Sequence, residues 1–179
     1  KTALERLDFE LDYDAVTGVL SRRGITRALE EMLSDSHADG SRVAALLVDL
    51  TEFALINRTL GHEAADEAME MIARSIVGAA PVHARIGRFD GLLLLVVIPG
   101  VVEDAPDLEQ WCGPILQAVA TEKSLRGHRF VREARIGASI STPKSTAATL
   151  LRKANAALSQ TGGEGLQRWS LYDDVDGAQ

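Results

Sequence analysis

Apolar positions along this chain alternate between two spacings, one near 3.6 and one near 2 residues. In residues 1–14, Leu4, Leu7 and Leu11 form one stripe among charges, which predicts a charged lead-in helix. It reads as a connector from an upstream module or as a frayed terminus. A turn at Thr17-Gly18 follows, then a helix from about Arg22 with Ser21 as its N-cap and Ile25, Leu29 and Met32 on one face. Residues 41–50 are an almost unbroken apolar run closing on Asp49, a buried strand. Residues 52–79 predict a short helix, a break at Gly61 and a longer helix with Ala65, Met69, Ile72 and Ile76 on its face. Residues 82–89 and 92–98 read as two strands, and Asp90-Gly91 between them is a two-residue hairpin signal suited to a type I′ turn. Leu108, Trp111, Ile115 and Val119 mark another helix. Ala134, Ile136, Ala138 and Ile140 alternate as a half-buried strand. Ala147, Leu151, Ala154 and Leu158 mark a helix stopped by Gly162-Gly163, and residues 167–174 give a last short strand. This order predicts an α/β sandwich with a central, mainly antiparallel sheet covered by helices.

Composition narrows the function more than the fold. With 179 residues the chain suits one domain with a sizeable core, and with only 4% aromatics that core must be aliphatic. The net charge of −7 argues against a nucleic-acid polymer as partner, yet leaves room for a single nucleotide in a local site. Cys112 is the only cysteine, so neither an intrachain disulfide nor a cysteine metal cluster can form, which suits a reducing cytoplasm. The longest apolar run, Leu92–Ile98, is too short to span a bilayer, and no signal peptide is legible, so no membrane contact is expected of this segment. Lys1 in place of an initiator methionine predicts a piece of a longer protein.

Three blocks carry a resemblance. "DAVTGVLSRRGI" (Asp14–Ile25), "LLVDLTEFALINRTLGHEAADEAM" (Leu46–Met69) and "ARIGRFDG" (Ala84–Gly91) resemble, in order and spacing, the motifs of the GGDEF family, the diguanylate cyclases that make cyclic di-GMP from two GTP. Ser139-Ile140 and "LLRKANAAL" (Leu150–Leu158) extend the likeness over roughly residues 12–172. The resemblance implies a nucleotide-cyclase-like α+β fold: a five-stranded, mainly antiparallel sheet with a ferredoxin-like βαββαβ core and a site on the central hairpin. It divides the chain into a connecting helix (1–14), the GGDEF-like domain (15–172) and an exit linker (173–179) that resembles the approach to an EAL phosphodiesterase domain.

The resemblance also assigns residues. Guanine recognition falls on Asn57 and Asp66, where a carboxylate accepts from the ring N–H and amino group and an amide both donates and accepts. The same two residues also read as turn and helix-capping groups. Asp49 falls on the first metal ligand, though it equally reads as a solvated acid at a strand end. The family's second ligand is Phe89 here, which offers no oxygen, and Thr51 replaces the second Asp of the strand-end motif. Asp49 and Asp90 together would hold one Mg²⁺ loosely and not two. In the signature Gly87-Arg88-Phe89-Asp90-Gly91 only Gly87 matches, and Arg88 puts bulk where the family's glycine admits phosphate. The phosphate-binding lysine becomes Ala54, and the downstream cations are absent from residues 161–166. The family's product-inhibition pair falls on Gly78 and Pro81, so no inhibitory site is expected. His62 reads as a helix-start residue, and Arg22-Arg23-Gly24 as a solvated helix start.

Three functions follow from this pattern. The first is a GGDEF domain without cyclase activity that needs no cofactor and serves cyclic di-GMP signalling as a GTP sensor or interaction module, for an EAL phosphodiesterase in the same chain. The second is an active cyclase with a divergent signature. The third is a homodimerising scaffold without a ligand.

Overall fold

The computed structural model describes residues 2–103, 105–162 and 167–173. Six helices and seven strands follow one another among them. These are α1 (Ala3–Asp12), α2 (Arg22–Asp39), β1 (Arg42–Asp49), α3 (Ala54–Leu60), α4 (His62–Ala79), β2 (Arg85–Asp90), β3 (Leu93–Val101), α5 (Glu109–Ala120), β4 (Lys123–Leu125), β5 (His128–Phe130), β6 (Arg135–Ile140), α6 (Ala147–Leu158) and β7 (Trp169–Leu171). Five strands form one sheet in the order β2-β3-β1-β6-β7, antiparallel except for the β6–β7 pair.

Alternation along β1 builds the core in two layers. Ala44, Leu46 and Val48 face α4 and α5, meeting Ile72 and Ile76 of α4 and Cys112, Ile115 and Val119 of α5. Val43, Ala45 and Leu47 face α2 and α6, meeting Ile25, Leu29, Leu150 and Ala154. β6 departs from the half-buried strand its alternation predicts: Ile136 through Ser139 are all buried. The reason is position. β6 lies between β1 and β7 with α6 packed on it, so close that a Cβ at Gly137 would stand 2.2 Å from the Ala154 carbonyl oxygen. Ser139 is buried with its hydroxyl satisfied, donating to the Leu150 carbonyl at 2.8 Å.

Ser21 caps α2 as expected, its Oγ accepting from the Gly24 N–H. The helix start it opens is solvent-exposed at Arg22 and Arg23, as expected, yet its cations are paired. Arg23 and Arg27 pair with Asp12 of α1, and the Arg22 guanidinium lies 4.4 Å over the Phe89 ring. α1 itself keeps Leu4, Leu7 and Leu11 exposed.

Two details of hairpin geometry differ from the pattern reading. The turn between β2 and β3 is Gly91-Leu92, one residue later than Asp90-Gly91. Arg88 opposes Leu94 and Asp90 opposes Leu93, so Phe89 is the extra residue of a β-bulge. Gly91 lies outside the left-handed region, so the turn is not type I′. It is held by side chains instead: Asp90 Oδ1 accepts from the Gly91 N–H at 2.8 Å, and Arg88 Nε donates to the Gly91 carbonyl at 3.0 Å. The second detail is an unforeseen hairpin, β4–β5, turning at Arg126 (φ 51°) and Gly127 (φ 81°). It docks on α4 through Arg126, which pairs with Glu63 and Glu67, and on the turn before α3 through Phe130, edge-on to Phe53 at 6.1 Å.

Candidate functional site

The site gathers around the turn from β2 to β3 and the ends of β1 and β6. Its first part is a cavity of about 300 Å³ between α3, α4 and the turn, lined among others by Asn57, Asp66, Arg88 and Gly91. Gly61 (φ 88°) breaks the helix between Asn57 and Asp66 and folds α4 back beside α3. That bend brings the two residues onto one wall. Asp66 sits in the second turn of α4, and neither its side chain nor that of Asn57 caps a helix: the N-cap of α4 is Gly61, without a side-chain bond. Both side chains are exposed and make no hydrogen bond among the described residues. The cavity wall thus presents a free amide and a free carboxylate.

Arg88 stands at the rim. Its Nη1 lies 3.4 Å from Asp14 Oδ2, which also accepts from the Thr17 hydroxyl at 2.7 Å and the Thr17 N–H at 2.9 Å. Partial burial pushes the Asp14 carboxyl up, but these Thr17 bonds and the Arg88 charge outweigh it and hold it below the usual carboxylate range. The backbone of Leu20 clasps the outer edge of β2, donating to the Ile86 carbonyl and accepting from the Arg88 N–H. The Asp14–Ile25 block is therefore a brace for the β2 edge. Gly87 belongs to the same contact: a Cβ there would fall 2.4 Å from Ile25 Cβ, so this glycine admits α2.

The second part lies across β3. Asp49 and Asp90 both oppose Leu93, one from each side, two strand spacings apart, about 10 Å between backbones. Asp90 is exposed and its Oδ1 is engaged by the Gly91 N–H. Asp49 is only 7% exposed, so it is no solvated strand end. Its Oδ2 accepts from Arg135 Nη2 at 2.6 Å; its Oδ1 accepts from the Thr51 N–H at 2.8 Å and from the Thr51 hydroxyl. Arg135 is the direct cross-strand partner of Asp49 in the β1–β6 register. Pattern reading missed it, because a lone arginine opening an apolar strand carries no signal until the register is known.

An octahedral divalent ion needs several free oxygen donors. Phe89 supplies none and packs with the α2-side cluster under Arg22. Both Asp49 oxygens already accept bonds, and no group of three His, Cys, Asp or Glu side chains that could hold a metal exists among the described residues. The donor set does not fit Mg²⁺. Of the downstream segment, Thr161 and Gly162 lie beside Arg135. Residues 163–166, like the exit segment beyond Asp173, lie outside the described residues.

No described helix is long and apolar enough to cross a membrane. Residues 11–168 match the family described as diguanylate cyclase, GGDEF domain. Cyclic di-GMP phosphodiesterase PdeB of Shewanella oneidensis is 28% identical over 179 residues, which is 96% of this chain and 20% of that protein. The chain thus spans about a fifth of the length of the curated relatives it matches. Among solved structures, the GGDEF domain of DgcB from Caulobacter crescentus in complex with c-di-GMP superposes with a TM-score of 0.81 at 19% identity, covering 90% of this chain and 93% of that one. Vibrio cholerae LapD, an S helix-GGDEF-EAL structure bound to c-di-GMP, gives 0.77 at 18% identity, covering 94% of this chain and 38% of that one. The braced β2–β3 turn, the five-stranded sheet and the family match over residues 11–168 agree, and the chain belongs to the GGDEF family.

Proposed function

We propose that this GGDEF domain serves cyclic di-GMP signalling without making the dinucleotide, and that it holds GTP as a signal through its guanine cavity. The observation that carries the reading is the contrast between its two halves. Asn57 and Asp66 keep unpaired side chains on the wall of a cavity, whereas both oxygens of Asp49 are consumed by Arg135 and Thr51. Base recognition needs the first; joining two triphosphates needs metal at the second. The phosphodiesterase name of the Shewanella relative and the GGDEF-EAL composition of the Vibrio neighbour support an EAL phosphodiesterase as the attached partner.

Calorimetric titration of GTP tests the sensing half. The wild-type chain releases or takes up heat at submillimolar to millimolar GTP. Asn57→Ala with Asp66→Ala weakens binding by about tenfold or more, since each lost contact is worth about 1–3 kcal/mol. No heat at millimolar GTP, or equal affinity in the double variant, overturns GTP sensing and favours the ligand-free scaffold.

A further inference from the structure

Arg135 does more than fill space beside Asp49. Its Nη2 contacts Asp49 Oδ2 at 2.6 Å, and its Nη1 donates to the Thr161 carbonyl at 3.3 Å. Gly162 makes room for it: a Cβ there would stand 2.5 Å from Nη1 and 2.8 Å from Cδ. The guanidinium, carried by β6, is thus seated by β1 and the turn after α6. A pocket of about 170 Å³ lies here, lined by Asp49, Thr51, Glu133, Arg135, Gly162 and Arg168. A cation and a carboxylate this close, with the carboxylate nearly dry, compensate each other's charge.

We propose that Arg135 is a built-in counter-cation that closes the metal site, holding Asp49 against any divalent ion independently of the loss of the acid at position 89. In outline, two changes separate this site from a metal-binding one: Phe89 removes a ligand, and Arg135 occupies the charge position of the ion. Restoring the ligand alone leaves Asp49 satisfied. Removing the arginine leaves a buried carboxylate without its counter-charge, which a divalent cation then satisfies. The inference rests on Asp49 standing at the family's metal-ligand position, and it does not depend on GTP sensing.

The experiment reads free Mn²⁺ by electron paramagnetic resonance in nucleotide-free protein, with circular dichroism confirming that each variant is folded. Wild type and Phe89→Asp leave the free Mn²⁺ signal unchanged, whereas Phe89→Asp with Arg135→Gln binds Mn²⁺ at least about tenfold more tightly than Phe89→Asp alone. Should the glutamine variant fail to fold, Phe89→Asp with Arg135→Met, which preserves the apolar stem, carries the same expectation. Tight Mn²⁺ binding by the wild type, or equal binding by Phe89→Asp with and without the arginine, overturns the proposal. Since no nucleotide is present, failure here is separate from failure of the GTP titration.

Discussion

Gly87 shows how one residue type serves two masters. In the family pattern it is the first signature glycine, and the sequence reading counts it as the one intact position. In the fold it is the point where β2 touches α2, with Ile25 filling the space a methyl group would need. Gly87→Ala therefore lowers stability by about 1–3 kcal/mol through overpacking; denaturant unfolding checks this, and an unchanged midpoint would contradict it. Asp14 acts at the same scale. Its carboxyl is held below the ordinary value of 3.8, so it stabilises the fold above that pH and loses the contribution as pH falls through the lowered value. Because Asp14 is partly exposed, Asp14→Asn lowers stability near neutral pH by only about 0.5–1 kcal/mol. The gap between variant and wild type closes below pH 3.8; melting curves across pH 3–7 read it. That Asn57 and Asp66 lie close together is legible from one motif, and they share a cavity wall. Arg135 was not, because the link to Asp49 is a strand register across 86 positions of chain.

At the scale of elements, apolar spacing identifies the long helices and every strand of the main sheet, and in all of them but α1, whose stripe stays exposed, the spaced residues are buried or half-buried. The misses have local causes. Asp90-Gly91 has the composition of a type I′ turn, but the bulge at Phe89 and the Arg88 and Asp90 side-chain bonds shift the turn to Gly91-Leu92. The type I′-like geometry belongs instead to Arg126-Gly127, between strands of three residues that are too short to show alternation. β6 reads as half-buried because Gly137 and Ser139 on its second face look polar or neutral, yet they are small so that α6 can approach. Gly137→Ala tests this packing. The obstacles are backbone atoms, the Ala154 carbonyl at 2.2 Å and the Leu158 nitrogen at 2.4 Å, so they cannot turn aside as a side chain can. A loss of about 3 kcal/mol in denaturant unfolding is expected; a loss under about 1 kcal/mol would mean that α6 moves freely on the sheet.

For the whole molecule, the two halves of the site have separate fates within one intact fold. The cavity lined by Asn57 and Asp66 depends on the α3–α4 bend and the turn between β2 and β3; the Asp49 pocket depends on β1, β6 and the turn after α6. The two are lined by different residues, so under the proposed function ligand recognition persists after the metal site has closed. The most direct measurement of this account incubates the protein at high concentration with GTP and Mg²⁺ or Mn²⁺ and resolves the nucleotides by chromatography. The account predicts that GTP is recovered intact; accumulation of cyclic di-GMP would contradict it.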